Sequence, residues 1–263
     1  MSTSSLGTIA ITGASSGIGA TYADRFAARG HGLVLIARRG DVLDALAARL
    51  RAAYGVAVRV VVADLTDPAA LAAVEADLAS DAGLTHLVNN AGVASVLPVA
   101  AMTPDQITAM VAINVTAPAR LARAVIGGFK ARGQGTLINL SSVVAVGPEI
   151  LNGVYSGSKA FMLALSQSLR QELAGTGVHV QAVLPGATAT DIWQTGGGDL
   201  SALPPDAVMS VDDLVDAALT GLDRGEFITI PPLAEEAEWT AYETARQAML
   251  PNLSRREPAA RYR

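Results

Sequence analysis

Tyr155 and Lys159 stand four residues apart in VYSGSKAF, and Lys159 is one of only two lysines in a chain of 263 residues whose other fixed cations are arginines. On a helix, positions i and i+4 share a face, so a phenol and an ammonium at this spacing present themselves together. A free phenol titrates near pH ~10, too high to exchange a proton readily at neutrality. An ammonium about 5 Å away contributes roughly 3 kcal/mol at an effective dielectric of about 20, a depression of ~2 pKa units. The spacing therefore predicts a phenol tuned downward by its lysine, able to give a proton to a carbonyl oxygen or take one from an alcohol. Lysine also brings three donors on a flexible stem, suited to sugar hydroxyls that a planar guanidinium fits less well. An ordinary amphipathic surface pair is the alternative, and the scarcity of lysine counts against it.

Ser142, at the end of the strand-like run GTLINL, is placed to donate a hydrogen bond to the same oxygen as negative charge grows on it. A nucleophilic role would require a histidine base, and His31, His86 and His179 share no motif with it. Ser141 reads as structural, although the two serines can exchange roles on sequence alone. The histidines sit beside strand-like runs without an acid at helical spacing, so they read as turn or core residues and no metal site is expected. The absence of cysteine removes thiolate ligands and disulfides.

A second chemistry lies near the start, where IAITGASSGIGATYADRF runs strand, glycine turn, helix. Gly13 permits the sharp turn, and Gly17 and Gly19 remove side chains where backbone approaches a phosphate and the helix packs on the strand. The G-x-x-x-G-x-G spacing differs from the usual dinucleotide fingerprint, and it is not a phosphate-binding Walker loop because Ile18 occupies a required glycine position and no lysine follows. At the end of the second strand-like run, where an NAD site presents an acid to the ribose, the chain reads Ala37, Arg38, Arg39. Two guanidiniums able to fork onto a 2′-phosphate favour NADP over NAD, each good contact being worth ~1.5 to 3 kcal/mol. A solvated arginine pair at a helix start is the bland alternative. Asp64 can accept from an adenine amino group or cap the helix that begins near Pro68.

Seven short β-branched runs must position these residues: Thr8 to Thr12, Gly32 to Ala37, Val56 to Ala63, Leu84 to Asn89, Gly135 to Leu140, Val178 to Leu184 and Phe227 to Ile230. Longer segments of helical period separate them, the pattern of βαβ units around a parallel sheet with helices on both faces. The strands are almost wholly apolar, as expected when both faces are buried. The alanine-rich helices reflect helix propensity and close packing rather than low complexity. At 51% hydrophobic and a net charge of -5, the composition suits a single large α/β domain. It carries no basic run for nucleic acid and no apolar stretch reaching the ~20 residues of a membrane span. Residues 1–6 show neither the positive nor the apolar region of a secretion signal.

TGASSGIG from Thr12, NNAG at Asn89 to Gly92, Asn114 in INVTAP, LSS ending at Ser142, YSGSK from Tyr155 and PGATAT from Pro185 occur in that order. Together, over roughly the first 190 residues, they resemble the NADP-preferring short-chain dehydrogenase/reductase family. The resemblance implies a doubly wound Rossmann-type sheet of seven parallel strands in the order 3-2-1-4-5-6-7, and a Ser-Tyr-Lys-Asn active site at Ser142, Tyr155, Lys159 and Asn114. It implies that NADP(H) lies against Gly13, Ser15, Ser16, Gly17, Ile18, Gly19, Arg38, Arg39, Asp64 and Leu65. Beyond these, Asn90, Ala91 and Gly92 would line the adenosine ribose, and the stretch holding Pro185, Gly186, Thr188 and Thr190 the nicotinamide. Asn114 would kink its helix and position a water relaying protons to Lys159, or be a core asparagine satisfying a loop. Ser16 stands where NADP-preferring members often carry a basic residue, which leaves that preference to Arg38 and Arg39.

By the same analogy, Val144, Glu149, Leu151, Ile192 and Trp193 line an apolar cleft beside Ser142 and Tyr155, for a ketone, an aldehyde or the matching alcohol. Residues 191–210, with the glycine- and proline-rich TGGGDLSALPP, form either a lid over that cleft or a surface loop. The helical tail 235–263 either closes the pocket or packs on another subunit. The expected protein is a cytoplasmic NADPH-dependent carbonyl reductase, a homodimer or homotetramer. Its rivals are an NADP(H)-sensing regulatory protein on the same fold and an NAD-linked secondary alcohol dehydrogenase.

Overall fold

The computed structural model describes residues 6–263. Residues 1–5, and with them most of the stretch read for a secretion signal, lie outside the described residues. Seven strands form one parallel sheet in the order β3-β2-β1-β4-β5-β6-β7. They are β1 Thr8–Thr12, β2 Gly32–Ala37, β3 Val58–Val62, β4 Leu84–Asn89, β5 Gly135–Leu140, β6 Val178–Val183 and β7 Ile228–Thr229. The helices between them are α1 Gly17–Ala28, α2 Gly40–Tyr54, α3 Pro68–Ser80, α4 Pro104–Val111, α5 Ala117–Arg132, α6 Gly153–Glu172, α7 Ile192–Thr195 and α8 Val211–Asp223.

Alternation along the strands sends apolar side chains to both faces, and each face meets a set of helices. Ile9, Ile11, Leu33 and Leu35 join a core with Tyr22 and Phe26 of α1, Leu43 and Leu50 of α2, and Leu214 and Leu219 of α8. Ala10, Val34 and Ile36 face the other way, into a core with Leu71 and Leu78 of α3, Leu121 and Phe129 of α5, and Leu169 of α6. Three strands are shorter than the sequence suggests, β6 by the single residue Leu184 and the two edge strands β3 and β7 more markedly. β3 lies at the edge and exposes Val62, and β7 pairs with β6 through only Ile228 and Thr229. An edge strand lacks a second ladder to extend it, so propensity at its ends is not converted into pairing.

Caps set where the helices begin. Asp67, not Asp64, caps α3, accepting from the Ala70 N–H at 2.7 Å; the Asp64 carboxylate instead accepts from the backbone and hydroxyl of Thr66 at 2.9 and 2.7 Å. This settles against the capping role for Asp64. α4 and α5 are one helix interrupted by a π-helical turn, Ala112–Thr116, so that residues 104–132 form a single span. By length and composition alone that span is apolar enough to cross a membrane, which the sequence reading of shorter apolar runs missed. Its apolar face, including Leu121, Val125 and Phe129, is buried against the sheet.

The Rossmann-type domain runs to Pro231, and Pro232–Arg263 cluster as a compact unit of their own. That unit is built on α9, Glu236–Met249, where the rings of Trp239 and Tyr242 lie 5.3 Å apart and Arg246 pairs with Glu243 through two bonds of 2.7 Å.

Candidate active site

Strand ends at the carboxyl edge of the sheet converge on a cavity of about 850 Å³. At one end the chain leaves β1 through Gly13 and enters α1 at Gly17 with a φ of +52°. A side chain on Gly19 could not be housed: its Cβ would stand 2.4 Å from the Gly13 carbonyl oxygen and 2.6 Å from Asn90 Nδ2. Of the two reasons for glycine there, close packing of helix on turn is the one the structure supplies, and Gly19 does not line the cavity. Ser16, the N-cap of α1, makes no side-chain cap bond, and the first turn carries no acid. The opening N–H groups and the positive end of the helix dipole therefore remain for an anion. Asn90 is committed to the turn, donating to the Thr12 carbonyl at 2.8 Å.

Arg39 folds over this turn. Its guanidinium donates to Ser16 Oγ at 2.8 Å and to Ser15 Oγ at 3.0 and 3.2 Å. Arg38 also lines the cavity, and it joins the two Thr66 hydrogen bonds in holding the Asp64 carboxyl below its usual range. A guanidinium pinned to the phosphate turn, with a second beside it and no carboxylate at the end of β2, fits a dinucleotide carrying a 2′-phosphate. Leu65, Ala91 and Gly92 line the same stretch, as do Pro185, Gly186, Thr188 and Thr190.

Ser142, Tyr155 and Lys159 all line this cavity. Ser142, just past β5, donates to the Pro185 carbonyl at 3.3 Å and accepts from the Val144 N–H at 3.3 Å. Tyr155 and Lys159 lie on the first turns of α6, both buried. Lys159 Nζ stands 5.9 Å from the Tyr155 ring centroid and donates to the Leu140 carbonyl at 3.0 Å. Ser141 turns away and donates to the Lys159 carbonyl at 2.7 Å, a structural role as the sequence suggests. Asn114 lies in the π-helical turn. Its amide grips the Val93 backbone from both sides, at 2.9 and 2.8 Å, and donates to Ser158 Oγ at 3.0 Å.

One expectation is overturned here. Burial pushes the Tyr155 phenol up to about 12, against the easing effect of the Ser142 hydrogen bond, and pushes the Lys159 ammonium down to about 8. In this pocket the cost of drying both groups outweighs the attraction that their spacing would give two charges. Tyr155 is thus a protonated phenol throughout the neutral range.

Val144, Ile150, Leu151, Ile192 and Trp193 line the cavity together with Tyr155. Glu149 is exposed and stands outside this lining, contrary to its assignment from sequence. A turn, Pro148–Ile150, directs the neighbouring Ile150 to the cleft instead. Trp193 Nε1 donates to the Thr188 carbonyl at 3.0 Å. Residues 191–210 also contribute Asp191, Thr195, Leu203 and Ala207 to the lining. Sequence reading missed Ala109 and Ile113, which reach the cleft from the helix carrying Asn114; they stand four residues apart, on one helical face, and that spacing was the available signal.

The histidines gather far from this site. His31, His86 and His179 all line a cleft of about 380 Å³ between α1, α8 and the amino edge of the sheet, with His31 and His86 edge to face at 5.6 Å. His86 and His179 lie inside β4 and β6. Among the described residues no group of three or more metal-ligating side chains could hold an ion.

A profile of the family described as short chain dehydrogenase matches residues 7–199. The chain belongs to the short-chain dehydrogenase family. Among its relatives, a serine 3-dehydrogenase of Rhizobium radiobacter is 38% identical over 196 residues, covering 73% of this chain and 76% of that one. A very-long-chain 3-oxoacyl-CoA reductase of Danio rerio is 34% identical over 185 residues, covering 68% of this chain and 57% of the relative, so the match spans little more than half of that longer protein. Two solved dehydrogenases match along nearly their whole length. One, a short-chain dehydrogenase from Sphingobium yanoikuyae in complex with NADPH, is 52% identical with a TM-score of 0.95, covering 98% of this chain and 100% of the other. The second, described as a bulky-bulky ketone specific alcohol dehydrogenase from Comamonas testosteroni, is 45% identical with a TM-score of 0.91, covering 98% of this chain and 99% of the other. The strand order and the single Rossmann-type sheet are those implied by the family resemblance.

Proposed function

We propose that this chain is an NADPH-dependent carbonyl reductase whose substrates are ketones carrying sizeable apolar groups on both sides of the carbonyl. The observation that carries the reading is that Ser142, Tyr155 and Lys159 open onto the same cavity as the glycine turn, Arg38 and Arg39. The NADPH complex of the Sphingobium protein and the ketone preference in the description of the Comamonas protein support it. So does the apolar lining around Ile150, Leu151, Ile192 and Trp193, which offers no charged partner beyond Asp191.

In this reading the α1 N-terminus holds the pyrophosphate, Arg38 and Arg39 the 2′-phosphate, and Lys159 the hydroxyls of the nicotinamide ribose. The cofactor, when bound, supplies the hydride. Ser142 and Tyr155 together bind the carbonyl oxygen, and the protonated phenol gives that oxygen its proton as negative charge develops. A Cβ on Gly92 would stand 3.0 Å from Asn114 Oδ1 and 3.7 Å from Lys159 Nζ, so the missing side chain leaves room between them for a water that returns the proton. Residues 191–210 act as the lid, and the protein works as a cytoplasmic homodimer or homotetramer. A pure NADP(H) sensor has no use for a dry phenol with two donors beside it, and an NAD-linked enzyme none for Arg39 pinned to the phosphate turn. A panel of aldehydes, small ketones and aryl ketones, read by NADPH oxidation, tests the proposal. Bulky ketones should give the highest kcat/KM; NADPH binding without oxidation by any carbonyl would leave the sensor.

A further inference from the structure

The helix that carries Tyr155 and Lys159 begins at a residue that none of the motifs includes. Asn152 is the N-cap of α6, and its Oδ1 accepts from the backbone N–H groups of Val154 at 3.1 Å and Tyr155 at 2.9 Å. Its own carbonyl accepts the first helical bond, from the Ser156 N–H at 3.0 Å. Its Nδ2 donates to the carbonyl of Ser95, a residue only 8% exposed. Ser95 lies on the loop after β4 that Asn114 holds at Val93 and that takes the carbonyl of Gly196, from residues 191–210, on the Val96 N–H at 3.0 Å.

We infer that Asn152 is a positioning residue for the reaction, fixing the height of the Tyr155 phenol through its backbone and tying the catalytic helix to the loop that borders the cleft. The inference rests on the carbonyl-reductase reading above. Its physical basis is where the cap acts. An N-cap decides the residue at which a helix starts, and its loss frays the first turn before anything else. Tyr155 is the third residue of α6, inside that turn, whereas Lys159 is a full turn deeper and is held from outside by the Leu140 and Ser141 contacts. The rest of the helix is anchored in the core through Met162, Leu163 and Leu169. Removing Asn152 should therefore loosen the phenol and spare both the ammonium and the fold.

The test compares wild type, Asn152→Ala, Asn152→Ser and Tyr155→Phe on one ketone substrate. Asn152→Ala should lower kcat about tenfold, a misplacement cost well below loss of the donor itself, while NADPH affinity stays within about twofold. Asn152→Ser restores the cap but cannot reach Ser95, so its kcat should return to within about threefold of wild type with a raised KM. The kcat of Asn152→Ala unchanged, or Asn152→Ser as poor in kcat as Asn152→Ala, would overturn the inference; so would parallel losses of kcat, NADPH affinity and melting temperature, the signature of a merely structural cap. If Asn152→Ala does not fold, the serine variant decides alone, and a lowered kcat with unchanged KM refutes. A kcat for Tyr155→Phe within tenfold of wild type would sink the underlying reading instead, and this control separates the two failures.

Discussion

Replacing Tyr155 by Phe removes one hydroxyl from a buried ring and should separate activity from stability. The ring keeps its packing among Met102, Met110 and Val144, so no cavity forms and the loss in folding is a single hydrogen bond to Ser142, about 1 kcal/mol. For a domain of this size that is a fall of roughly 2 to 4 °C in melting temperature. The kinetic cost is of another order, because removal of a proton donor costs about 10²- to 10⁴-fold, or roughly 3 to 5 kcal/mol in the barrier. NADPH affinity should hardly move, since Lys159 keeps its bond to the Leu140 carbonyl. The wild-type pH profile belongs to the same reasoning. With the phenol near 12 and the ammonium near 8, reduction should stay level up to about pH 8 and decline above it as Lys159, not Tyr155, loses its proton. The assay is initial-rate NADPH oxidation with a saturating ketone across pH, beside a fluorescence titration of NADPH and a thermal melt. A kcat within tenfold of wild type, or a profile that rises through pH 8, would refute the assignment of the phenol as the proton donor.

Two further outcomes follow from the geometry. Arg38→Asp places a carboxylate where the 2′-phosphate is expected and should weaken NADPH by 10- to 100-fold per lost contact, on the order of 1.5 to 3 kcal/mol, while NADH affinity changes little; equal losses for both would remove the phosphate contact. Burial, with smaller repulsion from His31 and Arg29, holds His86 down at about 4, so the unfolded chain binds its proton first as pH falls. The associated stability is intact above about pH 6.5 and lost on the way down to about pH 4, to an extent of roughly 3 kcal/mol. Urea titrations at both limits should show His86→Leu losing less than wild type by that margin, and identical losses would reject it.

The sheet was legible because its strands are buried on both faces and read as unbroken apolar runs, so all seven fall within two residues of their observed ends. β7 was over-read because its pairing depends on a neighbour that only the fold supplies. At the site, residues recognised by type and order arrived where expected, yet their electrostatics did not. The Tyr155 and Lys159 shifts are set by how much water the surrounding loops exclude, which four residues of spacing do not encode. Glu149 and Ile150 show the same limit at the scale of one peptide, since a short 3₁₀ turn chooses which neighbour faces the cleft. Asp64 and Asp67 both suit a cap, and chain geometry alone picks the second.

The wide turn at Ala112–Thr116 sets the phase of a two-piece rod. Deleting one residue there would let the rod heal into a regular helix and, by the same act, swing everything upstream through about 100° relative to α5. The repaired helix would be a better helix, but the amide that clasps Val93, a residue lining the cavity, would have lost its hold. Irregularity in this one span is thus the means by which a hydrophobic rod, locked to the sheet by Phe129 and Leu121, still turns a polar amide onto the Val93 backbone beside the cavity.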